Sequence, residues 1–171
     1  KIELNYKVDI VTADGGFDFS VHFNKQESMS AKLIFSQIAF AISVQKKGGI
    51  FLIKLFDTFT QVSIDMIFLL SLVYDEVYLV KPHSSRYANS EKYIVCKNFR
   101  LEKNEQSLLV KSFFQAFQEK NFKQTDIIVS VLNIKVPYFY SSKIEEYNAI
   151  YGQQQIETIS STLNLMNSDD K

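Results

Sequence analysis

The chain has no tryptophan, a single cysteine and no surplus of charge, with 19 Lys and Arg against 19 Asp and Glu. One cysteine excludes an internal disulfide and suits a reducing compartment; Cys96 itself reads as a small apolar residue buried in a strand. A net charge of zero argues against a strongly basic, nonspecific nucleic-acid binder, while leaving room for a local basic patch. No signal peptide opens the sequence. Its longest apolar run, Ile64 to Tyr74, is interrupted by Asp65 and is far shorter than the ~20 residues of a membrane span. His22 and His83 lie far apart in sequence, so no cluster has metal-ligand spacing. No internal repeat and no low-complexity tract occurs.

What is there is a globular composition. Apolar residues make up 46% of the 171, with fifteen Phe and nine Tyr, enough for one domain with its own core. The sequence opens on polar residues that lead straight into a strand-like segment, so the chain is expected to be the back portion of a larger protein.

Hydrophobic periodicity gives the order of elements. Tyr6 to Ala13 reads as a buried parallel strand that ends at Gly15-Gly16. After an irregular stretch to about Glu27, Ser28 to Lys46 reads as a helix, with lysines in its last turn and Gly48 or Gly49 as a left-handed cap. Ile50 to Phe56 is an apolar strand except for Lys54. Thr60 is the expected N-cap of a helix to about Tyr74. Glu76 to Val80 is a strand closed by Pro82, and the polar loop His83 to Ser90 leads into a strand from Lys92 to Phe99. That loop is too short for a parallel crossover, so the last strand is expected to run antiparallel to its neighbour. The expected fold is therefore α/β, a mostly parallel, doubly wound sheet with a reversed last strand.

Beyond it, Asn104 is the expected cap of a helix to Lys120, with Leu108, Leu109, Phe113, Phe114 and Phe117 as its apolar stripe. A short apolar segment, Asp126 to Leu132, and a loop at Pro137 to Tyr140 precede a helix over Ser141 to Met166. That helix is expected to break or kink near Gly152, and Asn167 to Lys171 to fray. The expected division is 1–103 as the sheet domain and 104–171 as a helical extension packed on it.

Three charged residues stand out. Ligands bind beyond the carboxyl ends of the parallel strands in such a sheet. Asp14 follows the first strand, and Lys54 lies near the carboxyl end of the second. Glu91 opens an antiparallel strand, whose start lies at the same edge. Topology alone thus brings the three to one rim. A lysine within Phe51-Leu52-Ile53-Lys54-Leu55-Phe56 is costly unless paired or functional; a purely structural ion pair with a neighbouring carboxylate is the alternative.

The segments Ala13-Asp14-Gly15-Gly16-Phe17, Gly48-Gly49 with Lys54 and Phe56-Asp57, and Lys81-Pro82, Ser85-Arg86, Ala88-Asn89-Ser90-Glu91, Tyr93 and Val95-Cys96-Lys97 resemble the FtsJ-like RNA 2′-O-methyltransferases. Within that class they resemble the cap-1 mRNA (nucleoside-2′-O-)methyltransferases of eukaryotes and large DNA viruses. Weaker similarity reaches Asn148 and Gln155-Ile156. The resemblance implies the back portion of a Rossmann-like S-adenosylmethionine-dependent methyltransferase fold. Asp14, Lys54 and Glu91 then match the last three members of a Lys-Asp-Lys-Glu catalytic tetrad, with Asp14 also near the cofactor. It implies that Asn24, Lys25 and Gln26 contact cap-proximal RNA, that Asn89 contacts the acceptor nucleotide, and that Arg86 pairs with a phosphate. His83 reads as an exposed loop histidine.

The chemistry explains the residue types. A ribose 2′-hydroxyl is a poor nucleophile and must lose its proton as it attacks a sulfonium methyl; the resemblance gives that task to Lys54. A lysine acts as a base only when burial or a second cation lowers its pKa, and carboxylate neighbours work against this. The resemblance supplies the second cation from a lysine upstream, together with the glycine-rich cofactor loop; Gly15-Gly16 is no substitute for that loop. The expected partners are capped mRNA and the upstream portion of the same protein, with no membrane. The expected location is intracellular: cytoplasmic for a viral protein, nuclear for a cellular one. Two further readings stay open, an inactive RNA-binding or scaffolding remnant of the fold and a ribosomal or transfer RNA 2′-O-methyltransferase.

Overall fold

The structure, a computed structural model, describes residues 7–16, 25–119 and 128–169. In chain order its elements are β1 (Val8–Ala13), α1 (Gln26–Val44), β2 (Gln45–Leu55), α2 (Gln61–Val73), β3 (Tyr74–Val80), β4 (Lys92–Phe99), α3 (Lys103–Glu119) and α4 (Tyr138–Asp169). The sheet order is β1-β2-β4-β3. β1 and β2 pair in parallel, and β4 runs antiparallel to both β2 and β3. The reversed last strand is as expected, and it inserts between its two predecessors instead of extending the edge.

Alternation along the strands divides the sheet into two unlike faces. Phe51, Ile53 and Leu55 of β2 and Ile94 and Cys96 of β4 are buried under the helices. Their neighbours Leu52, Lys54, Tyr93 and Val95 are half-buried on the other face, beside exposed Ile10, Thr12, Tyr78 and Val80. Burial pushes the Cys96 thiol up to about 12. On the covered face α1 buries Ile34, Phe35, Ile38 and Ile42, and Phe35 meets the rings of Phe113 and Phe117 from α3 at 5.5 and 5.4 Å. One hydrophobic cluster runs from the strands through α1 and α2 to Phe113, Val136 and Ile144.

Several boundaries differ from expectation, each with a local cause. α1 stops at Val44, so Lys46 and Lys47 lie beyond it. Gln45 turns extended because its side chain is buried, donating to the Asp9 and Ile50 carbonyls and accepting from the Tyr74 hydroxyl. The chain then loops out: β2 advances from Gln45 to Ile50 while β1 advances only from Val8 to Ile10. Gly48, at φ 77°, and Gly49 make that excursion and do not cap the helix; a Cβ on Gly49 would lie 2.4 Å from the Gln45 amide nitrogen. Lys46 pairs with Asp9 and Lys47 with Glu102.

Further along, α3 begins at Lys103, where Glu105 reaches back to the Glu102 amide at 2.9 Å as the acidic half of a capping box. Asn104 therefore sits inside the first turn and is not the cap. The buried stripe of α3 is set by Gln106, Leu109, Val110, Phe113 and Phe117, leaving Leu108 and Phe114 exposed. The Pro137 carbonyl accepts from the Tyr140 and Ser141 amides, so α4 starts at Tyr138. It then passes Gly152 without a break. Of the segment expected to be apolar over 126–132, residues 126 and 127 lie outside the described part, as do residues 170 and 171 of the expected frayed end.

The buried acid of α2 is matched by partners. Asp65, which interrupts the apolar run of α2, accepts from Gln61 Nε2 at 2.6 Å and from the amides of Val131 and Leu132 at 3.0 and 3.4 Å, with the Ser130 hydroxyl also donating to it. One buried carboxylate thus fixes the otherwise irregular segment 130–132 to α2.

Candidate active-site rim

The carboxyl ends of β1 and β2 and the start of β4 lie side by side, because β1 and β2 are parallel and β4 runs back along β2. Asp14 leaves β1 there. Its Oδ1 lies 2.5 Å from Lys54 Nζ, in an ion pair whose lysine is 16% exposed and whose carboxylate is 68% exposed. Among the described residues, a Cβ placed on Gly16 would meet Lys54 Nζ at 3.8 Å, an ordinary contact, so Gly16 lies directly beside the ammonium. The Phe56 ring lies under the same ammonium, 5.6 Å from Nζ to its centroid.

Glu91 reaches the rim through a residue that sequence reasoning did not single out. Tyr93 pairs with Lys54 across the β2–β4 ladder. Its hydroxyl lies 3.4 Å from Glu91 Oε1. Burial, then the Glu91 carboxylate, then Asp14 push the phenol upward, so Tyr93 stands between the two acids. Its position two residues after Glu91, on the same face of the strand, was the available signal. An open depression of about 340 Å³ continues from Glu91 and Tyr93 over Leu52, Val80, Pro82 and Val95.

The loop from β3 to β4 is held by Lys81. This lysine is 8% exposed. Its Nζ donates to Ser85 Oγ (3.3 Å), to Asn89 O and Oδ1 (both 2.9 Å) and to Glu91 O (2.8 Å). Burial first, and neighbouring Lys92 second, lower its pKa against the pull of Glu91. Asn89 Oδ1 also accepts from the Glu91 amide at 3.2 Å, so the oxygen of this expected nucleotide contact is already engaged within the loop. Arg86 is exposed, and its guanidinium has no hydrogen bond or ion pair among the described residues. His83 is exposed as well.

Beside the end of this loop lies the start of α1. Asn24 falls outside the described residues. Lys25 is the exposed residue preceding α1, and Gln26 is its first residue, with Oε1 3.4 Å from Ser90 Oγ. Helix α1 thus starts two residues before the expected Ser28, within the stretch expected to be a loop. Glu27 turns away from solvent to α2. Its Oε1 accepts from the Thr60 amide (2.8 Å), the Thr60 hydroxyl (2.7 Å) and the Ser63 hydroxyl (2.6 Å). Thr60 does occupy the N-cap position, but its hydroxyl meets Glu27 and the Ser63 hydroxyl and caps no backbone amide of α2. A carboxylate at a helix N-terminus also meets the favourable end of the dipole.

Behind the rim, Lys92 and Asp57 form a loose pair at 3.9 Å; burial lowers the one and raises the other, each toward its neutral form. Asn148 of α4 exchanges two hydrogen bonds with Thr58, at 2.6 and 2.9 Å, and Gln155 donates to the Ala88 carbonyl at 3.2 Å. Helix α4 therefore braces both the loop after β2 and the loop before β4, a role no local pattern in 138–169 announces. Among the described residues, no group of three or more His, Cys, Asp or Glu could hold a metal ion, and no helix is long and apolar enough to cross a membrane.

The FtsJ-like methyltransferase family model matches residues 1–99, more than half of the 171. The chain belongs to the FtsJ-like methyltransferase family. Among its relatives, cap-specific mRNA (nucleoside-2′-O-)-methyltransferase 1A of Caenorhabditis briggsae is 34% identical over 156 residues, covering 86% of this chain and 18% of that protein. The inactive cap-specific methyltransferase 1B of the same species matches equally, at 34% over 156 residues and the same 86% and 18%. Cap-specific methyltransferase 2 of Drosophila melanogaster is 26% identical over 171 residues, all of this chain and 24% of that protein. The FtsJ-like chain thus spans about a fifth to a quarter of the length of these three relatives. The family match ends at the last residue of β4, so all three rim acids and bases fall inside it and helices α3 and α4 beyond it.

Proposed function

We propose that this FtsJ-like chain carries the catalytic rim of an mRNA cap 2′-O-methyltransferase, which transfers a methyl group from S-adenosylmethionine to the ribose 2′-hydroxyl of the cap-proximal nucleotide. The observation that carries the reading is the Asp14–Lys54 ion pair at the strand ends, with Tyr93, the ladder partner of Lys54, joining it to Glu91. Lys54 is the group that orients the hydroxyl and takes its proton; Asp14 fixes where Lys54 can reach. Glu91, with Tyr93 against it, forms the far wall and presents an acceptor to the ribose. Lys25, Gln26, Arg86 and Asn89 serve as RNA contacts, with Arg86, unpaired among the described residues, as a cation for a phosphate; the sequence resemblance adds Asn24, which lies outside the described residues. The division of the chain into 1–103 with the site and 104–171 as a bracing extension goes with this reading.

The cofactor fits in part. The exposed Asp14 carboxylate and the glycine backbone beside it suit the cationic methionine end. The residues for its adenosine lie outside those described. When bound, the cofactor supplies an electrophilic methyl on sulfur. Lys54 accepts a proton only when neutral, so a second cation from the upstream portion of the protein is part of the reading. The location follows the source, nuclear for a cellular protein and cytoplasmic for a viral one.

An inactive scaffold is the second reading, favoured by the equal identity of an inactive relative. Digestion and mass spectrometry of capped and uncapped RNA treated with the full-length protein decide between them. The expected product carries one methyl at the 2′-oxygen of the first transcribed nucleotide, only on capped RNA. Methyl on internal riboses without cap dependence would indicate a ribosomal or transfer RNA enzyme, and no methyl would indicate a scaffold.

A further inference from the structure

The β3–β4 loop poses a physical problem. It must present Glu91 and Asn89 at fixed positions, yet it contains neither helix nor strand, and its residues are exposed or half-buried except Lys81 and Ser85. Two turns shape it, closed by Ser85 N to Pro82 O at 2.9 Å and Asn89 N to Arg86 O at 3.2 Å. Neither turn reaches Glu91. What does reach it is the Lys81 ammonium, which binds the Glu91 carbonyl, the Asn89 carbonyl and the Asn89 side-chain oxygen within 2.9 Å, and Ser85 Oγ at 3.3 Å. Among the described residues, no carboxylate lies within ion-pair distance of Lys81. A buried cation held by neutral oxygens, three of them carbonyl or amide and one a hydroxyl, is an expensive group to keep for packing, since an apolar side chain would fill the space without desolvating a charge. Its four acceptors, however, all belong to one short stretch, residues 85–91, while its backbone is anchored at the end of β3. The ammonium therefore sets the position of that stretch relative to the sheet. Drawing the peptide carbonyls of Asn89 and Glu91 inward leaves the Glu91 carboxylate outside, on the Tyr93 hydroxyl.

We propose that Lys81 is a positioning residue of the methyl-transfer site: it touches no reactant, and it acts by fixing Glu91, and with it Asn89, at the rim. This rests on the methyltransferase reading above. A displacement of a reacting group by about 1 Å can cost about 100-fold in rate, so a loosened loop is expected to lower kcat by about 10- to 100-fold.

The test is a double-mutant cycle in the full-length protein, with Lys81→Met, Glu91→Gln and the pair, read by kcat on capped RNA, by calorimetric affinity for S-adenosylmethionine and by hydrogen exchange. The expected result is a 10- to 100-fold loss for Lys81→Met, cofactor affinity within twofold of wild type, and faster exchange confined to residues 83–91. In the Glu91→Gln background the same substitution is expected to cost less than threefold, because there is no longer a carboxylate to place. Lys81→Arg, which keeps the cation and its donors, is expected to recover part of the loss. Should Lys81→Met fail to fold, Lys81→Gln, which removes the charge but keeps an N–H donor, enters the same cycle with the same expected result. Full activity of the Lys81 variant overturns the proposal, and so do losses that multiply in the double variant, which would mark Lys81 as a general stabiliser. A wild-type protein that transfers no methyl overturns the underlying reading first and the positioning role with it.

Discussion

The two faces of the sheet divide the work residue by residue. On β2, Phe51, Ile53 and Leu55 are buried under α1 and α2, whereas Leu52 and Lys54 between them belong to the open face with the rim. On β4, Ile94 and Cys96 are core, and Tyr93 and Val95 are not. Packing dictates one set, since a fully buried ring leaves a cavity when truncated. Charge placement dictates the other, since half-buried positions tolerate changes of volume but fix where a carboxylate or ammonium can stand. Stability and chemistry are therefore separable along a single strand, at one-residue intervals.

The largest expected effect tests the covered face. Phe51→Ala is expected to lower unfolding free energy by about 3–5 kcal/mol, read as a reduced urea midpoint with little change in slope. A loss below about 1 kcal/mol would mean that the covered face is not the core. Next comes the open face: Lys54→Ala is expected to slow methyl transfer of the full-length protein by at least about 100-fold while shifting the urea midpoint far less than Phe51→Ala does. A variant that keeps more than about a tenth of the wild-type rate would remove Lys54 from its role. If Lys54→Ala unfolded the protein instead, the separation between the faces would fail.

The effect that is smallest at neutral pH, and emerges only in alkali, sharpens the comparison through Cys96. Its thiol is raised from about 9 to about 12 in the fold, so the unfolded chain loses the proton first. The stability tied to this group is complete below pH 9 and is lost as pH rises from about 9 through about 12, at a slope near 1.4 kcal/mol per pH unit. Cys96→Ala is expected to remove that part of the alkaline slope. The native thiol should also resist alkylation at pH 9, and rapid labelling there would place Cys96 on the accessible face.

Much of the site was legible in the sequence because its logic is topological. A charge inside an apolar strand and acids at the ends of neighbouring strands converge once the strand directions are known, and loop length alone made β4 antiparallel. Boundaries were less legible, for reasons seen at particular residues. Lys46 and Lys47 looked like a helix end because nothing local reveals that Gln45 buries its amide against Asp9 and Tyr74. The stripe of α3 was misassigned at Leu108 and Phe114 because which face of a helix is buried depends on where α1 lies.

The sequence by itself determined the order of elements, the reversed strand and the placing of Asp14, Lys54 and Glu91 at one edge, since periodicity, charge and loop length are local and survive without neighbours. Only the tertiary structure decided that Glu27 caps α2, that Tyr93 stands between the acids, that α4 braces two loops and that Lys81 gathers the carbonyls of the β3–β4 loop. Each of these is a hydrogen bond between groups whose partners are chosen by packing, and no spacing along the chain encodes a partner that the fold has yet to bring near.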